Sequence, residues 1–330
     1  MRSLLAFRSP RSLVPAFATE AGTHTTVVRI PARLAIVGGV GVAVLAAVVA
    51  RGTTIAAARS LTDLRPLPLA LGGAGLLVAL AASAGTWRAA LSAAGGGIRY
   101  RDAWGCYGLG SLANVVLPAR LGDAVRIGLF ATRVEHPDRR WLCAGAFLTV
   151  AAARAAVYTL TCGAAAAAGT LPAWTLAAPA ALVAIALVGA AARPRRLRRL
   201  RVGEITPTRG TVLLGWAALA AGSRLLAATC VFAALDVHAP FRSALIGLAA
   251  LAVAGTLPIA PGGLGVAGAG MALALQQSGT PGPTALAAAV AFHAVETLAT
   301  VAFGSSGWLV LRRATSRPAR TCSRRRSASG

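Results

Sequence analysis

The sequence predicts an all-α polytopic membrane protein, with about six full transmembrane helices and two re-entrant broken-helix hairpins in an inverted-repeat arrangement. Three observations predict it. Apolar residues make up 56% of the 330-residue chain and charged residues only 13%, and mean hydropathy is +0.69; long runs with few charges are the mark of membrane spans. Every basic residue is arginine, 33 against nine carboxylates, and most crowd into the segments between apolar runs. Two apolar runs are broken by proline and glycine where a span should be continuous, around Pro118 and around Pro258.

Residues 1–32 form a basic tail with proline, serine and no sustained periodicity, expected to be disordered. Its apolar stretch at 13–18 is short and holds Pro15, so no signal peptide is read there. The membrane domain is expected over 33–311. Residues 34–50 give a first span, short at about 25 Å of helix. Residues 67–90 give a second, with Arg88 near its end placed to snorkel. Residues 103–117 make only about 22 Å of helix. Pro118 should end it, Asn114 favours a cap or bend, and 121–131 resume helical character. Two half-length segments around a break read as a re-entrant hairpin, whose tip must be buried in protein or line a wet cavity.

Residues 141–169 and 173–192 give two more spans, and 212–235 a fifth; Arg154 and Arg224 lie near the middle of theirs. The dense arginine run at 193–201 reads as a topology anchor, with contact to anionic headgroups a further option. Residues 244–257 are again too short, are broken by Pro258, Pro261, Gly262, Gly263 and Gly265, and resume at 266–277. The last span, 285–311, holds His293 and Glu296, and 312–330 is an arginine-rich tail. With both breaks as hairpins, 25 arginines fall on the cytoplasmic side, four outside and four within the membrane. That bias puts both termini in the cytoplasm of a plasma-membrane protein. Interrupted segments at matching places in two inverted halves point to a central site.

The excluded classes follow from what is missing. The net charge of +24 accompanies no basic, aromatic-bearing soluble module, so nucleic acid is not an expected partner. Cys106, Cys143, Cys162 and Cys230 lie in apolar runs and Cys322 in the basic tail, with no Cys-x-x-Cys pair. They read as small hydrophobes, not as a disulfide frame or metal site. The run from Gly263 to Gly268 fits a dinucleotide glycine pattern, but no βαβ unit surrounds it. No nucleophile elbow, metal cluster or P-loop is present, so neither catalytic residues nor a cofactor are expected.

What remains is anion chemistry. Arg120 and Arg126 sit near the start of a returning half-helix, whose free N–H groups and dipole favour anions, and paired guanidiniums suit phosphate. Asp123 either caps that helix or pairs with Arg126, and the alternative to a ligand site is a self-neutralised structural knot. The glycines after Pro258 permit close approach of backbone N–H groups to an anion, or else tight helix packing. Arg154 and Arg224 cannot face lipid cheaply. Asp123 and Glu296 are the acidic residues expected at membrane depth, so arginine outnumbers carboxylate there even if both acids pair. His293, one helical turn before Glu296, reads as a hydrogen-bonding partner or a proton relay.

The pattern Asn114, Leu117, Pro118, Arg120, Gly122, Asp123, Arg126, followed by Leu257, Pro258, Pro261, Gly262, Gly263, Leu264, Gly265, Val266, resembles the lysylphosphatidylglycerol synthase transmembrane region, or flippase-like, family, across roughly residues 34–311. The resemblance implies a polytopic bundle with re-entrant segments that handles lipids. Many members carry an acidic or amide residue where Gly268 stands and an arginine where His293 stands. The soluble synthase domain of fused members is not expected here, nor its activity. Together, residues and resemblance lead to an expected lipid transporter or flippase. Its partner would be an anionic phospholipid or a polyprenyl-phosphate-linked lipid. The binding set would be Asn114, Pro118, Arg120, Gly122, Asp123, Arg126, Arg154, Arg224, Pro258, Pro261, Gly262, Gly263, Gly265, His293 and Glu296. The alternatives are a component of lipid or envelope glycan synthesis, or a structural partner of another membrane protein.

Overall fold

The computed structural model describes residues 65–116, 121–167, 169, 206–254 and 264–315. Among them every regular element is an α-helix: α1 Pro66–Ala93, α2 Tyr100–Val116, α3 Leu121–Arg133, α4 Arg139–Ala167, α5 Pro207–Ala233, α6 Pro240–Ala254, α7 Leu264–Gln277 and α8 Gly282–Thr315. The expected spans at 34–50 and 173–192 and the expected tail at 1–32 lie outside the described residues.

Four of these helices, α1, α4, α5 and α8, are long and apolar enough to cross a bilayer. They coincide with four of the expected full spans, each starting or ending a few residues from its sequence-read limit. Proline opens α1 and α5 in the first turn, where a missing N–H costs nothing. α1 closes on Gly95 at φ +88°; Gly95 N–H donates to Ser92 O at 3.2 Å and Gly96 N–H to Leu91 O at 2.8 Å. Glycine reaches that left-handed conformation without a Cβ clash, so two otherwise orphaned carbonyls are satisfied. The Arg88 guanidinium adds a bond to Ile98 O at 3.4 Å across the same turn.

α2 and α3 are about 25 and 20 Å long, below the roughly 30 Å hydrocarbon thickness. They form an antiparallel hairpin, as three levels of contact show. At its base Arg133 pairs with Asp102 at 3.7 Å; halfway along, Arg126 reaches Ser111 at 3.1 Å; at the tip Gly122 lies against Asn114. α6 and α7 make a second short pair, packed through Gly247 and Met271.

Two apolar cores hold these pieces together. One gathers α1 to α4 around Trp87, whose ring stacks on Phe130 with centroids 4.6 Å apart. The other joins α1, α5, α6, α7 and α8 around Phe232, Met271, Leu275 and Phe292. Small residues let the backbones approach: Gly105 and Gly108 of α2 face Gly304 and Gly307 of α8, and Gly72 and Gly75 of α1 face α5. Such contacts drive association where lipid removes the hydrophobic incentive between helices. Leu67, Leu160, Leu226, Leu273 and Leu298 point outward, each more than half exposed. Surface of that kind belongs in hydrocarbon. The chain is a polytopic helical membrane protein.

Candidate functional site

The first break is organised around Arg126. Its guanidinium donates to Asp123 Oδ1 at 2.7 Å and to Ser111 Oγ at 3.1 Å, and lies 4.5 Å above the Tyr107 ring. Asn114 Nδ2 donates to the same Asp123 oxygen at 3.1 Å. Gly122 and Gly110 make this possible. A Cβ on Gly122 would overlap Asn114, and one on Gly110 would sit 2.6 Å from Arg126 Cβ. Asp123 therefore pairs with Arg126; of the two roles open to it in the sequence, the ion pair is the one seen. Arg126 is not on an outer rim: its side chain is only 7% exposed. Its Nε and the Asn114 Oδ1 are buried without a partner.

Tyr107 joins this hairpin to the long helices. Its hydroxyl accepts from Arg154 Nη2 at 3.2 Å. Arg154 lies about 22 Å along α4, near the middle of that helix. Among the described residues Arg154 has no carboxylate partner, and it is partly accessible. Arg154 and Arg224 lie within electrostatic reach of each other and of Tyr107 and Tyr158.

Arg224, midway along α5, pairs with Glu296 Oε1 of α8 at 2.6 Å; its Nε is buried without a partner. The other carboxylate oxygen faces His293 Nδ1 at 3.7 Å, too long for a hydrogen bond. The expected hydrogen bond for His293 is thus not made, and its Nε2 is buried without a partner. A Cβ on Gly268 of α7 would sit 3.4 Å from the His293 ring, so the helix returning from the second break lines the same region.

The structure thus brings Asn114, Gly122, Asp123 and Arg126 together at one hairpin, and Arg154, Arg224, His293 and Glu296 beside them in mid-bundle. Pro118, Arg120, Pro258, Pro261, Gly262 and Gly263 lie outside the described residues; α2 ends at Val116 and α3 begins at Leu121, either side of Pro118. Gly265 falls in the first turn of α7. Tyr107, Tyr158 and Ser111 belong to the site but were missed by sequence reasoning. A tyrosine in an apolar helix reads as core, and the signal available was position: Tyr107 and Ser111 are one turn apart on the face that carries Asn114.

Charge decides what this arrangement does. Among the described residues Arg126 and Arg224 are matched by Asp123 and Glu296, and Arg154 is not matched by a carboxylate. Among the described residues no group of three or more His, Cys, Asp or Glu residues is placed to hold a metal. Cys106, Cys143, Cys162 and Cys230 are free thiols.

A family model described as the lysylphosphatidylglycerol synthase TM region matches residues 32–304. No curated protein and no solved structure matches. The match covers most of the chain, which belongs to the lysylphosphatidylglycerol synthase transmembrane-region family.

Proposed function

Starting from membership in that family, we propose that this protein moves lipid across the plasma membrane, holding an anionic headgroup near the midplane between the two broken-helix pairs. The observation that carries the reading is Arg154. A guanidinium halfway along a membrane-spanning helix is costly and is retained for a task. Among the described residues its hydrogen-bond partner is the Tyr107 hydroxyl, at 3.2 Å, and no carboxylate pairs with it. A phosphate of a phospholipid or a polyprenyl-linked lipid supplies the missing negative charge and accepts both guanidinium N–H groups at once.

Arg224 and Tyr158 stand within electrostatic reach of Arg154, and they are the described residues that extend the site around it. Both hairpins are re-entrant in this reading, the first from the cytoplasm and the second from outside. The halves rock about the fixed site. Both termini are cytoplasmic in this reading, which the bias of 25 arginines against four supports.

The test is headgroup translocation of fluorescent phosphatidylglycerol in proteoliposomes. Wild type should move lipid well above empty liposomes, and Arg154→Ala should cut the rate at least tenfold while leaving the protein folded. Equal rates in wild-type and empty vesicles would sink the reading.

A further inference from the structure

The Arg224–Glu296 pair is partly accessible, its side chains 31% and 28% exposed. Glu296 neutralises Arg224 at 2.6 Å, and Arg224 lies within electrostatic reach of Arg154, the surplus charge that the proposed headgroup would meet first. A phosphate that spans both guanidiniums therefore competes with Glu296 for Arg224. The carboxylate displaced from that pair would stand deprotonated near mid-bilayer with no counter-ion, a state costly enough that such groups neutralise instead. His293 is positioned at that carboxylate, Nδ1 to Oε2 at 3.7 Å, with its opposite nitrogen free of any partner.

We infer that Glu296 is a proton site linked to the headgroup site: binding of a lipid phosphate at Arg154 and Arg224 is coupled to uptake of one proton by Glu296, with His293 as the relay. The inference rests on the anionic-headgroup reading above and adds to it an energy source. The balance is simple. The phosphate brings one negative charge to the arginines, a proton from solvent converts the Glu296 carboxylate to a neutral acid, and no net charge enters the bundle. A proton gradient then drives lipid movement in the direction in which protons enter.

The groups that face Glu296 are consistent with one exchangeable charge. Arg224 contacts it from α5 and His293 from its own helix. Tyr107 of α2 and Tyr158 of α4 lie within electrostatic reach of both Arg154 and Arg224. From α7 Gly268 lies against the His293 ring, and that helix carries no ionisable residue. Asp123, the other carboxylate of the site, is held by Arg126 and Asn114 and is not in this circuit.

The experiment is calorimetric titration of the purified full chain with short-chain phosphatidylglycerol, in two buffers of different ionisation enthalpy, between pH 5 and 8. Wild type should take up about one proton per lipid, and its affinity should rise as the pH falls. Glu296→Gln, with Arg224 permanently released, should bind with no proton uptake and a flat pH profile. His293→Gln should keep the stoichiometry, because a relay changes the rate and not the equilibrium. Lipid binding by wild type with no proton uptake overturns the inference and leaves the headgroup site standing, as does uptake that persists in Glu296→Gln. Binding that is equal in wild type and Arg154→Ala, or absent in wild type, overturns both.

Discussion

The two broken-helix pairs have matching punctuation in sequence and opposite chemistry in space. The first, α2–α3, is stitched by polar groups: Asp102 to Arg133 at its base, Ser111 to Arg126 halfway, and Asn114 to Asp123 near its tip. The second, α6–α7, packs through Gly247, Ile246, Leu248, Met271 and Leu275. From this pair Gly268 lies against the His293 ring. The difference teaches where a ligand can act. In the first pair Arg126 and Arg133 meet carboxylates of the same hairpin, whereas Arg154, Arg224, His293 and Glu296 sit on the long helices α4, α5 and α8. Among the described residues, the arginine without a carboxylate partner in this region, Arg154, is carried by a long helix and not by a short pair.

That contrast is breakable. Arg126→Ala should have the largest effect on stability, about 3 kcal/mol, the low end for breaking a buried ion pair because Asp123 keeps 28% exposure. Thermal unfolding in detergent reads it as a lowered Tm, and an unchanged Tm would mean that the hairpin does not depend on its ion pair. Gly122→Ala comes next, at about 1–3 kcal/mol, since the new methyl group overlaps Asn114 backbone and side chain and neither is a flexible end. The equivalent change in the second pair should be smallest. A Cβ on Gly247 would meet Met271 Cγ at 3.3 Å, and an unbranched thioether yields, so Gly247→Ala should cost under about 1 kcal/mol. If Gly247→Ala unfolds the protein more readily than Gly122→Ala, the assignment of rigidity to the first pair is reversed.

Much of this is legible in the amino-acid sequence. The four described full spans followed from hydropathy, and the ends of α2 and α3 from Pro118 and the residues around it. Arg154 and Arg224 were conspicuous because a charge in an apolar run has few cheap places to go. Tyr107 was not legible. Its role comes from an arginine 47 residues away along the chain and a second guanidinium against its ring, and neither leaves a trace in local pattern.

By itself the sequence determined the class of solvent, the lengths of the helices, the places where they break and the excess of arginine over carboxylate at depth. Those properties are local: they depend on hydropathy, on proline's missing N–H and on counting. Only the tertiary structure decided which arginine meets which acid. From the sequence, Asp123 and Glu296 were open to more than one arginine. Packing α5 against α8 gave Glu296 to Arg224, and folding α3 back on α2 gave Asp123 to Arg126. Arg154 was left over because Coulomb attraction in a low dielectric is settled within a few ångströms, and only packing sets distances on that scale.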